Sequence, residues 1–189
     1  MAGFAKANAR IGFAQVELNH VSGIVTGQIL AQLPVDTNAM GTVLENGRFA
    51  KYDYSHNKVN LTGAGEWMLV YNEEKLPDPR KTNHKDFALQ AKDFTDREVT
   101  PRLISILIGD IFTTNAIGED GLTKAQISAI TDTTEASVTF PTVTTKLYVG
   151  ANGYLTETQP ASYDGPVFEV VKVYTLADSQ PAVKLMRIA

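Results

Sequence analysis

Hydrophobic positions along this chain alternate with polar ones far more often than they recur at helical spacing, so the pattern predicts a mainly β protein. The alternation becomes clear at residue 24. In IVTGQILAQL the odd positions Val25, Gly27, Ile29, Ala31 and Leu33 are small or apolar, and Thr26, Gln28 and Gln32 alternate with them. This is the signature of a half-buried strand. Pro34 ends it, and Asp36, Thr37 and Asn38 supply turn chemistry. A strand is expected over 49–54 with Ala50, Tyr52 and Tyr54 on one face, followed by a second alternating run at 58–62. Ser55, His56 and Asn57 turn the chain between them. Gly63-Ala64-Gly65 then bends it into WMLVY at 67–71, apolar on both faces and therefore expected at the centre of a sheet.

Two Asn-Gly pairs, Asn46-Gly47 and Asn152-Gly153, sit between apolar runs. Both residues of such a pair tolerate the positive φ that a two-residue hairpin requires, so both pairs are expected at hairpin turns. The stretch 72–96 differs in kind. It is charged, contains Pro77 and Pro79, and has few apolar anchors beyond Phe87, Leu89 and Phe94. A loop this long inside a compact domain is unusual, so it reads as a connection, with one helical turn near 87–92. The expected organisation is an N-terminal arm over 1–21, a first β module over 22–75, a connection over 76–96 and a second β module over 97–189. Each module would be a small β-barrel or β-meander.

In the second module, Pro101 stands at a strand start and Gly109-Asp110 bends the chain between two apolar runs. The β-branched residues of 103–108 favour strand over helix. A short helical insertion is expected from about Thr123 to Ile130, because Leu122, Gln126 and Ile130 share a helical face. Strands resume over 138–140, 144–149, 153–156, 167–176 and 182–188, the last with Val183 and Leu185 on one face and Met186 and Ile188 on the other. Trp67, Leu69, Val171 and Tyr174 are expected in the core.

Composition narrows the function. The 189 residues carry a net charge of −4, which gives no clustered cationic surface for nucleic acid. There is no cysteine, which excludes disulfides, thiolate metal sites and cysteine nucleophiles together. The first residues, broken by Lys6, Asn8 and Arg10, lack the apolar core of a signal peptide, and the longest strongly apolar run, 103–108, is far too short to span a bilayer. A protein made in the cytoplasm, neither exported nor membrane-bound, is expected. Apolar Phe4, Ile11 and Phe13 with cationic Lys6 and Arg10 fit neither strand nor helix period. They belong either to a frayed terminus or to an arm that orders on a neighbouring subunit.

Candidate chemistry is sparse. His20, His56 and His84 stand in separate segments without the paired spacing of a metal site, and read as surface residues. No G-x-S-x-G, G-x-G-x-x-G or P-loop pattern occurs. Glu73, Glu74 and Asp78 are interleaved with Lys75, Arg80 and Lys81, as in a solvated mixed-charge loop. Tyr52, Tyr54, Trp67 and Tyr71 read either as cross-strand core pairs or as a stacking face for sugars. No catalytic residue, metal or cofactor is expected.

Three stretches, VLENGRFAKYDYSHNKVNLTGAGEWMLVYNE, TPRLISILIGDIFTTN and LYVGANGYLTE, resemble the small β-rich auxiliary head proteins of tailed bacteriophages, which decorate the capsid. The resemblance implies a virion protein without enzymatic activity. Its partners would be the major capsid protein or other virion proteins, with self-association open, and the segment Phe4, Lys6, Arg10, Ile11 and Phe13 is the candidate partner-binding arm. A tail or head–tail joining protein, and a carbohydrate-binding β module, are the other readings.

Overall fold

Side chains alternate across a strand, so a strand with every residue buried must lie between two layers. The computed structural model describes residues 14–25, 29–72, 88–117, 143–175 and 181–189, and it contains such a strand. In chain order these residues form β1 (Val16–His20), α1 (Ser22–Val25), β2 (Ile29–Leu30), α2 (Thr37–Met40), β3 (Val43–Glu45), β4 (Phe49–Asp53) and β5 (Lys58–Asn60). There follow β6 (Met68–Val70), β7 (Ala88–Gln90), β8 (Leu103–Ile104), β9 (Ile111–Thr114), β10 (Lys146–Val149), β11 (Leu155–Thr156), β12 (Val167–Thr175) and β13 (Pro181–Arg187). The fold is mainly β, as the alternation predicts, but among the described residues its antiparallel sheets stay open and no barrel closes.

Six strands form one sheet in the order β1-β9-β13-β12-β10-β11, five form a second in the order β2-β8-β6-β4-β5, and β3 pairs with β7 alone. Phe49, Leu69 and Ile104 of the five-stranded sheet share one core with Val16, Phe112, Leu147, Phe168, Val183 and Leu185 of the six-stranded sheet. On the other face of the same strands, Ala50, Met68, Val70 and Leu103 pack in a second core with Leu44 of β3 and Met40 of α2. The five-stranded sheet is thus the middle of three layers. Its central strand β6 is buried at all three positions, which accounts for the unbroken apolar run in its sequence.

The first core closes on three phenylalanines. Phe49 lies 5.3 Å from Phe168 and 6.4 Å from Phe112, and Phe112 meets Phe168 edge-on at 5.5 Å and 88°. One ring comes from the expected first module and two from the second. Strand pairing crosses the expected division as well: β8 pairs with both β6 and β2, and β1 pairs with β9. The physical reason is the apolar face of Phe49, Leu69 and Ile104, which among the described residues packs against the six-stranded sheet.

Several local expectations need correction. Residues 16–20 of the expected arm are strand β1, held by β9. The expected strand from residue 24 begins as the helical turn α1, because the Asp110 carboxylate accepts from both the backbone N–H (3.0 Å) and the hydroxyl (2.6 Å) of Ser22. That acceptor lies 88 residues away and leaves no trace in local sequence. Where a helical turn was expected near 87–92, β7 pairs with β3. Val171 is only half-buried, because a bulge between Val170 and Lys172 interrupts the alternation that buries Phe168 and Val170. Leu69 is fully buried as expected, whereas Trp67 is half-buried. The Thr123–Ile130 helix, the strand at 138–140 and the Tyr174 side chain lie outside the described residues.

The two Asn-Gly turns behave differently. Asn152-Gly153 closes a hairpin between β10 and β11, with Gly153 N–H donating to the Gly150 carbonyl at 2.9 Å. Asn46-Gly47 turns the chain but joins strands that do not pair with each other. Instead Asn46 pairs with Asn72, its side-chain amide donating to the Asn72 carbonyl (3.0 Å) and its side-chain oxygen accepting from the Asn72 N–H (2.7 Å). The two turns also touch. Phe49 N–H donates to the Gly153 carbonyl at 2.6 Å, and buried Arg48 donates to the carbonyls of Asn152 and Met40, both at 2.8 Å.

Candidate interaction site

The sequence KDFTDRE builds a rigid tip between β7 and β8. Asp93 Oδ1 accepts from the Thr95 N–H and hydroxyl, both at 2.7 Å, and from the Arg97 N–H at 3.0 Å. The Thr95 hydroxyl, with the Arg97 and Thr95 N–H groups, holds the Asp93 carboxyl below the usual carboxylate range. Asp96 completes the turn at φ 65°, a conformation that costs a non-glycine residue on the order of 1 kcal/mol. Lys92 pairs with Asp96 at 2.9 Å, and Lys58 of β5 binds Glu98. All this order presents one ring to water: Phe94 is 100% exposed. The sequence reading of Phe94 as an apolar anchor is therefore corrected. The available signal was an isolated aromatic flanked by Asx-turn residues in a charged run.

A second apolar projection lies beyond β8. Asp110, itself buried, accepts from the Leu107 N–H at 2.8 Å as well as from Ser22, so one carboxylate fixes both the 107–110 turn and α1. Ile108 on that turn is 70% exposed and Ile24 on α1 is 46% exposed.

Trp67 lines a cleft of about 230 Å³ with Ala64, Gly65, Gly165 and Pro166, and with Lys51, Glu66, Asp164 and Arg187 at its edges. The Lys51 ammonium sits 4.8 Å from the indole centroid, and Glu66 accepts from the Ser105 hydroxyl at 2.9 Å. Tyr163 fixes the 164–166 wall: its hydroxyl donates to the Pro166 carbonyl (2.6 Å) and accepts from the Val149 N–H (2.9 Å). Burial above all pushes this phenol up to about 12. Because the folded value is raised, its contribution to stability is whole below about pH 10, the ordinary phenol value, and is lost as pH rises through 12. Burial raises the Tyr52 phenol too, so ultraviolet titration of the seven tyrosines should show a late step that shrinks by one tyrosine in Tyr163→Phe. A late step unchanged in that variant would refute the assignment.

The expected aromatic face is divided by the sheet. Tyr52 is buried in the second core with Tyr54 stacked on it at 5.6 Å, whereas Trp67 packs against the first core. His56 and Asp53 meet in the β4–β5 turn at 2.7 Å. There the Ser55 hydroxyl donates to Asp53 at 2.6 Å, so its proton is committed to the carboxylate and the trio caps a turn rather than activating a nucleophile. Hydrogen bonds from Ser55, His56 and Asn60 hold the Asp53 carboxyl far below the usual range. His20 is exposed on β1. His84, Glu73, Glu74 and Asp78, and the arm residues Phe4, Lys6, Arg10, Ile11 and Phe13, lie outside the described residues. Among the described residues no three His, Asp or Glu side chains group as a metal site, and no helix is long and apolar enough to cross a membrane.

No protein-family model, curated protein or solved structure matches this chain.

Proposed function

We propose that this chain is a virion structural protein, an auxiliary protein that binds and stabilises a phage capsid shell. The observation that carries the reading is the hydrogen-bonded 107–110 turn, which holds Ile108 in water and is tied through Asp110 to α1 with its exposed Ile24. Exposing large apolar side chains on rigid turns is unfavourable in isolation. It is repaid when a partner covers them, because the ordering cost has already been met in the free protein. The resemblance to phage head proteins supplies the partner: major capsid protein, contacted across a broad surface. The segment carrying Phe4, Lys6, Arg10, Ile11 and Phe13 adds an arm that orders on a neighbour.

Co-sedimentation with preformed shells tests the reading. Replacing Ile24 and Ile108 together by serine is expected to leave the fold intact and weaken shell binding at least ~10-fold, or ~1.4 kcal/mol. Equal binding by variant and parent would remove this surface from the contact. Absence of the parent protein from shells, with recovery in a tail fraction, would favour the tail alternative.

A further inference from the structure

We propose that the chain also associates with itself head to tail, Phe94 of one copy entering the Trp67 cleft of the next. The fold supplies both a knob and a socket. Phe94 stands fully exposed on a turn that Asp93 locks, and the cleft offers about 230 Å³ beside an indole. A cavity on the order of 150 Å³ accepts benzene, so a phenyl ring has room. The wall is made of small residues, Ala64, Gly65, Gly165 and Pro166, which let a ring approach Trp67.

One charge on each side is complementary: among the described residues, neither exposed Arg97, three residues from Phe94, nor exposed Asp164, at a cleft that Lys51 and Arg187 also line, has an ion-pair partner. The other carboxylate of the cleft, Glu66, is already engaged by Ser105. Arg97 of the knob therefore meets Asp164 of the socket as Phe94 enters. An apolar anchor beside an arginine, with charges around the rim, is the usual composition of an interface hot spot.

Topology makes the contact intermolecular. Lys51 lies two residues from Phe49 on β4 and points to the same side of the middle sheet, toward the six-stranded sheet. The Phe94 turn follows Ala91, which packs in the core on the opposite side. A knob on one face and a socket on the other give a heterologous contact, which generates a ring or a filament according to the rotation between copies. One knob buries little area, so the contact is weak in free solution and gains from the high local concentration of an array.

Sedimentation velocity over a concentration series provides the test. The parent protein should associate at high concentration. Phe94→Ser should weaken that association on the order of 30-fold or more, and Ala64→Trp, which fills the socket from an exposed position, should do the same. Mixed together, the two variants should form a complex that stops at the dimer, since one keeps only a socket and the other only a knob. Arg97→Glu and Asp164→Arg should each weaken association and together restore it. A parent that stays monomeric, a Phe94→Ser variant that associates like the parent, or a mixture that forms no complex would each overturn the proposal. These measurements use no shells, so their failure is separate from failure of the shell-binding reading.

Discussion

Replacing Phe49 with alanine is expected to destabilise the protein by about 3–5 kcal/mol, the range for deleting a buried aromatic ring. The residue is fully buried, and it is the only ring of the phenylalanine trio supplied by the middle sheet. Its removal leaves Phe112 and Phe168 facing a void that β4 cannot close, because β4 is held on one side by β5 and on the other by β6. Urea unfolding followed by tryptophan fluorescence should show a lower midpoint with an unchanged slope. Paired with Phe168→Ala, the two losses should sum to more than the double variant loses, since the rings lie 5.3 Å apart and share one cavity. A loss below ~1 kcal/mol would mean that the sheets do not pack through this ring. The same experiment reports on organisation. With the core drawn from both halves of the chain, unfolding should be one transition rather than two.

Strand identity was legible in the sequence from spacing: Ala50 and Tyr52 of β4 share a core as their alternation predicts, Val183 and Leu185 of β13 are buried together, and the double-sided burial of β6 was readable from its unbroken apolar run. Partnership was not legible. Period-2 patterning says which side of a strand is apolar but not which sheet covers it, so the expected burial of Leu69 did not name Phe49, Phe112 and Phe168 as members of its core. The same gap explains Asn46-Gly47. Its chemistry announces a turn, and a turn is present. The partner of that segment is nevertheless Asn72 through a side-chain amide, a pairing decided 26 residues away. The interaction sites divide likewise. The turn chemistry of Asp93, Thr95 and Asp96 was open to reading, whereas the full exposure of Phe94 depends on how β7 and β8 leave their sheets. The cleft joins residues 51, 64–67, 164–166 and 187, which no local pattern links.

Gly153→Ala is expected to cost about 2–5 kcal/mol, the sum of left-handed backbone strain and overpacking. The strain term follows from φ 82° at Gly153. The packing term follows from the contact between the two Asn-Gly turns. A Cβ on Gly153 would collide with the Phe49 carbonyl oxygen and would come within 3.0 Å of Leu61 Cδ2 and 3.2 Å of Arg48 Cγ. The side chains could shift, but the carbonyl belongs to β4 and is fixed by its sheet. Arg48 has no freedom either, because its guanidinium is spent on the Asn152 and Met40 carbonyls. Gly109 supplies the control. It has the same backbone requirement, φ 90°, yet a Cβ there meets nothing within 4 Å. Gly109→Ala should therefore show the strain alone, about 1–2 kcal/mol. The excess loss in Gly153→Ala over Gly109→Ala, measured in the same urea titration, reads the cost of pushing one turn off the other. Equal losses would mean that the turns are not in contact, and that the Phe49 N–H to Gly153 carbonyl bond does not join them.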